Sequence, residues 1–185
     1  MSEYYLMSQL PSLDGPSDGV PLAITEERFL ELCRRFLRGK VLRELERLTL
    51  TPGRDAERSG SSLVEAWNAG ERRLRLALGK VRAEKLKKPF DAGDESLPAE
   101  LLKVAGEAVE QESPLMAERL LDAYRLGFLE TLRPMDAFCE EFVFYYALKL
   151  KLILRARGFD AALGEEAYRN IYHSVVNGEE LEEKQ

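Results

Sequence analysis

SLVEAWNAGERRLRLALGKVRAEKLKK, residues 62–88, carries the pattern of one long helix. Ser62 followed by Glu65 forms a capping box at its start, and Pro89 must end it. Its apolar positions recur at the spacing of a seam between long packed helices: Trp67, Leu74, Leu78 and Val81. This stretch therefore predicts a helix that is buried along one narrow side.

Helical patterns continue on both sides of this segment. Thr25 is suited to cap a helix that Gly39 ends, and Ser113 followed by Pro114 is a strong start signal for a helix that stops before Pro134. Further helices are predicted over 41–48, 98–111, 135–157 and 164–176, with a loop over 51–60. Because no later stretch alternates like a strand, we predict an all-α bundle of about six helices.

The first 24 residues differ from the rest of the chain. Helix-breaking residues interrupt them at Pro11, Gly15, Pro16, Gly19 and Pro21. Within them, the short aromatic and apolar stretch Tyr4–Leu10 is predicted to be extended, or a single strand docked on the body. The predicted organisation is an extended N-terminal segment over 1–24, a helical domain over 25–176 and an acidic tail over 177–185.

Length and charge narrow the protein class. The 185 residues carry a formal net charge of −6, and the longest uncharged apolar run of note, Phe142–Leu148, has seven residues, whereas about 20 cross a bilayer. Glu3 stands where a secretory signal carries a basic residue. We therefore expect a cytoplasmic protein. Cys33 and Cys139 are too few for a disulfide framework or a four-ligand zinc site and are interpreted as reduced core thiols.

The sequence lacks the common patterns of catalytic and cofactor sites. The single histidine, His173, has no Ser, Cys or acidic neighbour arranged as a triad, and the glycine-rich phosphate-binding motifs are absent. Acidic pairs such as Glu140 and Glu141 are adjacent and point about 100° apart on a helix, so they do not share a metal by themselves. We predict no catalytic residue, no cofactor and no metal site. A small helical enzyme that assembles carboxylates from separate helices stays open as an alternative.

Charge is segregated between residues 72–88 and 91–112. The first stretch holds eight basic residues against one acidic residue, and the second holds seven acidic residues against one basic residue. The favoured interpretation is a pair of helices that pack antiparallel with complementary charged rims. The functional alternative is a basic face that binds an acidic protein surface or a nucleic acid. The candidate partner-binding residues are Arg72, Arg73, Arg75, Lys80, Arg82 and Lys85.

Nucleic acid is the less favoured partner of such a face. No aromatic residue interleaves with the basic residues of 72–88 to stack on bases, and the chain as a whole is negatively charged. We therefore predict no nucleic acid among the partners. A regulator that binds nucleic acid through the basic helix remains the alternative.

Four short stretches carry a family pattern: YYLMSQLPSL at 4–13, FLELC at 29–33, SPLMAERLLD at 113–122 and YALKL at 146–150. Together they resemble a bacterial domain of unknown function found with V/A-type ATPase subunits. The third resembles that family's Asn-Pro-Leu-Glu-Ala-Glu helix start, with Ser113 in place of Asn and Met116 in place of Glu, and the fourth resembles its Tyr-Ala-Leu-Lys-Leu helix.

The last two stretches are also similar, more faintly, to a second family. They resemble the helical repeats of the socket protein in the central stalk of the V/A-type ATPases. In those repeats an Asn-Pro-Leu helix precedes one that ends in an Arg, here Arg155.

The resemblance implies a non-catalytic, all-helical subunit. Like the socket protein, it would join the central rotor shaft to the membrane ring. The implied partners are other V/A-type ATPase subunits, and the protein would reach the cytoplasmic face of the membrane only through them. The socket protein is far longer and has three similar domains, so a chain of 185 residues would cover only part of such a funnel.

Overall fold

Seven helices make up the part of the chain that the computed structural model describes, residues 2–13, 22–53, 58–91, 93 and 95–158. In chain order they are α1 (Ser2–Gln9), α2 (Glu26–Phe36), α3 (Gly39–Arg47), α4 (Ser62–Lys85), α5 (Ala99–Glu110), α6 (Pro114–Thr131) and α7 (Glu140–Gly158). No strand occurs among these residues, so the predicted all-α class is confirmed. None of these helices combines the length and the apolar character that crossing a bilayer requires. The predicted helix over 164–176, His173 and the acidic tail over 177–185 lie outside the described residues.

The N-terminal residues are helical, so the extended conformation predicted for Tyr4–Leu10 is wrong. Leu6 of α1 is fully buried in the bundle, and the Tyr146 hydroxyl donates a hydrogen bond of 2.9 Å to the carbonyl oxygen of Pro11 just beyond the helix. A helix of eight residues is marginal alone, and packing of its apolar side against α2 and α7 stabilises it. Residues 14–21 of the predicted N-terminal segment lie outside the described part of the chain.

Local capping fixes several helix starts where the sequence predicts them. The Thr25 hydroxyl accepts a hydrogen bond of 3.2 Å from the backbone N–H of Arg28 at the start of α2. Ser61, one residue before the predicted cap, accepts 3.1 Å from the N–H of Val64 at the start of α4. Pro114 is the first residue of α6, as predicted.

Two helix boundaries differ from the prediction. Gly39 does not end α2, which stops at Phe36; it opens α3 with φ of +67°, a left-handed conformation that glycine adopts without strain. The last described helix, α7, begins at Glu140 rather than at residue 135. Phe138, predicted for the buried side of that helix, therefore lies in the connection before it and is 48% exposed.

Contacts between distant residues fix the helix directions. The ion pair between Arg125 of α6 and Glu71 of α4, and the approach of the Phe128 ring to Gly70, make these two helices antiparallel. In turn, Lys149 Nζ lies 2.8 Å from Glu130 Oε1, so α7 returns antiparallel to α6. Both α4 and α7 therefore run in the same direction, with their first residues at one end of the bundle.

The acidic helix α5 runs parallel to α4, so the predicted antiparallel arrangement is wrong. Lys85, at the end of α4, donates a hydrogen bond of 3.4 Å to the carbonyl oxygen of Val109, near the end of α5. Arg73 and Glu100, earlier in the two helices, both lie close enough to the Tyr124 hydroxyl to affect its pKa. A parallel pair requires a long return connection. Residues 86–98 supply it.

Two apolar clusters form the core. The larger one packs α1, α2, α3 and α7 around the first half of α4, including the predicted seam residue Trp67. The smaller one lies between the second half of α4, α5 and α6: Leu74, Ala77, Leu78, Leu101, Ala105, Ala108 and Leu121. The contact between the basic helix and the acidic helix is therefore apolar.

The close approach of α6 to α4 at Gly70 leads to a stability prediction. A β-carbon at Gly70 would lie 2.2 Å from Cε1 of Phe128. We expect Gly70→Ala to lower the free energy of unfolding by about 1–3 kcal/mol, because overpacking outweighs the gain of about 1 kcal/mol that alanine has over glycine in a helix. Urea denaturation of the purified variant measures this change.

Gly127→Ala is the matched control for that substitution. Gly127 is exposed on α6, next to Phe128, and a β-carbon there would meet nothing within 4 Å. This change should stabilise the protein by about 0.5–1 kcal/mol. If both variants were stabilised equally, the packing of Phe128 on Gly70 would be disproved.

Candidate functional site

The six predicted partner-binding residues all lie on α4, and together they are called the basic face here. Four of them are exposed: Arg72, Arg75, Arg82 and Lys85. The other two, Arg73 and Lys80, are half-buried. At 100° per residue the six spread over the half of the helix that turns away from the buried seam. The structure thus places the predicted residues on one continuous surface.

The basic face does not pair with the acidic helix. Within the described ranges, no ion pair joins Arg72, Lys80 or Arg82 to a carboxylate, and none joins α4 to α5. Glu107 of α5 pairs instead with Lys103 of its own helix, at 3.8 Å. The interpretation of complementary charged rims is therefore wrong for this part of the chain.

Three members of the basic face also have structural contacts. Arg75 Nε lies 3.5 Å from Glu71 Oε1, and its Nη1 donates a hydrogen bond of 3.3 Å to the carbonyl oxygen of Pro52. Arg73 donates to the carbonyl oxygen of Ala69 at 3.4 Å, and Lys85 bonds to the end of α5. Arg72, Lys80 and Arg82 are thus the members of the face with no such contact among the described residues.

A buried ionic cluster joins α4 to α6, and sequence reasoning missed it. The Arg125 guanidinium donates two hydrogen bonds of 3.0 Å to the Glu71 carboxylate and one of 2.9 Å to Asp122 Oδ1. All three residues are buried, with 3% to 6% of their surface exposed. Burial alone would lower the pKa of Arg125, but its hydrogen bonds to the two carboxylates outweigh burial and raise it.

The same cluster extends to α7 through Arg155. Arg155 Nη2 donates a hydrogen bond of 2.5 Å to Glu118 Oε2, and its Nε lies 3.6 Å from Asp122 Oδ2. Glu118 and Asp122 belong to the SPLMAERLLD stretch, so two of the features that carry the family resemblance meet in space. The cluster ties three helices together.

A sequence signal for this cluster exists in retrospect. Glu71 falls within the apolar seam between Trp67 and Leu74, at a position where a solvated charge is not expected. Arg125 interrupts the seam of α6 between Leu121 and Leu129 in the same way. Charges of opposite sign inside two apolar seams predict a buried pair.

The described carboxylates are engaged in structural contacts rather than gathered in a pocket for catalysis. A cavity of about 400 Å³ between α3 and α7 is lined by Glu44, Glu140 and Glu141, among others. Glu44 accepts a hydrogen bond of 3.0 Å from the Gly60 N–H, and Glu141 accepts 2.9 Å from the Ser62 N–H at the start of α4. In the described ranges, no three His, Cys, Asp or Glu side chains form a group that could hold a metal ion.

The two thiols differ in their surroundings. Cys33 is fully buried, and burial raises the pKa of its thiol from 9.0 to about 12. Cys139 is half-buried, and its Sγ lies 3.1 Å from the carbonyl oxygen of Asp136. The interpretation as core residues is confirmed for Cys33, whereas Cys139 lies at the edge of the core.

This difference predicts selective thiol labelling. At pH 8 a pKa of about 12 instead of 9.0 leaves roughly a thousandfold less thiolate at Cys33. We expect 5,5′-dithiobis(2-nitrobenzoate) to label Cys139 in the folded protein and Cys33 only after unfolding in guanidinium chloride. Rapid labelling of both thiols in the folded protein would contradict the burial of Cys33.

Comparison with known families places part of the chain. Residues 89–179 match the model of a family described as a protein of unknown function, DUF2764. No curated protein and no solved structure matches the chain. The matched region contains α5, α6 and α7, and with them the stretches at 113–122 and 146–150. It begins directly after the basic stretch 72–88 ends.

Proposed function

We propose that the chain is a non-catalytic helical adaptor of a V/A-type ATPase, which binds an acidic surface of a neighbouring protein in that assembly through the basic face of α4. One observation carries this proposal: the basic face is turned away from α5 and finds no carboxylate partner there. A surface with this excess of positive charge on a negatively charged protein requires solvation or an acidic partner. The adaptor acts by shape and charge and performs no bond chemistry.

The contacts of the resemblance stretches support the choice of assembly. Glu118 and Asp122 of the stretch at 113–122 contact Arg155, the residue that corresponds to the Arg of the socket-protein repeats. These residues lie in a region that also matches a family of unknown function. The resemblance, together with this packing, supports placement of the chain between the rotor shaft and the membrane ring, on the cytoplasmic face.

The test is recovery of partners by the full-length tagged protein from its native cytosol and solubilised membranes at moderate salt, with mass spectrometry of the eluate. The extract is divided, and one half is treated with nuclease. We expect the shaft and ring subunits of a V/A-type ATPase in fixed proportion to the bait, with the same yield in both halves.

Two other results would count against the adaptor. Recovery that disappears after nuclease treatment would favour the nucleic-acid-binding alternative, whose binding falls steeply with salt. Recovery of a metabolic partner without ATPase subunits would remove the ATPase assignment and leave only the helical fold.

A further inference from the structure

An exposed aromatic patch lies at the end of the bundle where α4 and α7 begin. Its members are Tyr4, Tyr5, Met135 and Phe138, and this set is called the aromatic end here. Tyr4 and Tyr5 are 55% and 57% exposed, Phe138 is 48% exposed, and Met135 is fully exposed. The Tyr4 ring lies 4.8 Å from the Phe138 ring, so α1 and the connection before α7 form one surface.

We infer that the aromatic end is a second partner-binding surface, which receives an apolar, acid-flanked helix of a protein other than the one bound by the basic face. This inference rests on the proposed function, because it adds the second contact that an adaptor needs. Aromatic residues, Met and Arg are the types enriched at protein interfaces. A contiguous group of large exposed apolar side chains is unusual on the surface of a monomer.

The two surfaces lie at opposite ends of the molecule. Glu141 at the start of α7 bonds to the backbone of Ser62 at the start of α4, so the aromatic end is level with the first residue of α4. The basic face extends to Lys85 at the other end of that helix, about 34 Å away at 1.5 Å per residue. Two partners can therefore be bound at once without contact between them.

A groove beside the aromatic end indicates the chemistry of its partner. The groove has a volume of about 290 Å³, and its lining is mainly apolar: Met7, Leu10, Pro11, Leu13, Ala137, Phe138 and Phe142 are among its residues. A shallow groove of this kind suits the anchor side chains of a partner helix. The two charged residues that line it, Arg133 and Lys149, are both basic.

The basic residues of the groove favour a carboxylate next to the anchors. Arg133 and Lys149 share one carboxylate, that of Glu130, at 3.9 and 2.8 Å. The Arg133 guanidinium also lies 5.8 Å from the centre of the Phe142 ring, and half of its side chain is exposed. A carboxylate of the partner would meet this exposed guanidinium at the rim, where a basic residue would be repelled.

Site-specific photo-crosslinking in the full-length protein tests the inference. The photoreactive amino acid p-benzoyl-phenylalanine replaces Phe138 in one variant and Arg82 in another, each variant is expressed in the native cells, and crosslinked peptides are identified by mass spectrometry. We expect Phe138 to give adducts with a peptide that has apolar residues at helical spacing and a neighbouring Asp or Glu. Arg82 should give adducts with an acidic peptide of a different protein.

The outcomes separate this inference from the proposed function. Adducts from position 82 alone would overturn the second surface and leave the basic face in place. Adducts from position 138 with a second copy of this chain, or with a peptide that has no acidic residue near the anchors, would also overturn it. If neither position gave an adduct, both the inference and the proposed function would fail.

A matched pair of variants adds a quantitative readout. Met135→Glu with Phe138→Glu should reduce recovery of the partner crosslinked at 138 by about tenfold or more, because hot-spot aromatic residues carry much of the binding energy. It should leave the partner of the basic face unchanged. Met116→Glu, at a 50% exposed position near the start of α6, is the control and should change neither. Equal recovery with the double variant and the control would overturn the inference.

Discussion

Replacement of Arg125 with alanine is expected to lower the free energy of unfolding by about 3–5 kcal/mol, the largest single-residue effect that we predict for this protein. Arg125 is 6% exposed and holds the Glu71 and Asp122 carboxylates, both 3% exposed. Without it, two carboxylates remain buried without their hydrogen-bond donor. Glu71 would keep only Arg75, at 3.5 Å, and Asp122 would keep only Arg155, at 3.6 Å. Urea denaturation followed by circular dichroism measures the change.

A surface arginine provides the comparison. Arg28 and Glu31 form an ion pair of 3.0 Å on α2 with both side chains more than half exposed, so Arg28→Ala should change stability by about 0–1 kcal/mol. The double variant Arg125→Met with Glu71→Gln should recover part of the loss, because it removes both the donor and the charge of its main acceptor. If Arg125→Ala destabilised no more than Arg28→Ala, the buried cluster would not exist as described.

Charge reversal at Arg72, Arg82 and Lys85 is expected to abolish binding to the acidic partner with almost no loss of stability. These side chains are exposed, and none of them pairs with a described carboxylate. A glutamate at each position would face the acidic surface of the partner and weaken association by at least about a hundredfold, because like charges across an interface are strongly repelled. The melting temperature should change by only a few degrees, as for most surface substitutions. Binding is measured by recovery of the partner, and stability by differential scanning calorimetry.

A second triple variant separates local from global charge. Arg35, Arg43 and Arg47 are exposed on α2 and α3, and their reversal changes the net charge by the same amount. We expect this control to retain the partner. Loss of the partner in both triple variants would mean that net charge, not the basic face, governs association. Arg75 is left unchanged because its reversal would place a carboxylate beside buried Glu71.

The sequence predicts most helices because their signals are local. Thr25, Ser113 and Pro114 mark helix starts through hydrogen bonds and backbone angles within one turn, and the structure places starts at the expected positions. Helix α1 escapes this reasoning because burial of Leu6 against distant helices stabilises it, and no residue near Leu6 reports that contact.

The candidate site is less accessible to sequence reasoning. The positions of the basic face follow from the pattern of residues 72–88, but its lack of acidic partners depends on the direction of α5. That direction is set by the return connection over 86–98, in which Phe90 packs beside Gly79. The pairing of Glu71 with Arg125 joins residues 54 positions apart, which helical spacing cannot connect.

The most direct test of the adaptor is an electron cryo-microscopy map of the V/A-type ATPase purified through a tag on this chain. We predict density for the helices of this protein at the cytoplasmic side, between the rotor shaft and the membrane ring, with the basic face of α4 against an acidic surface. A tagged preparation that contains no ATPase, or a map in which the chain lies away from the shaft and the ring, would contradict the proposal.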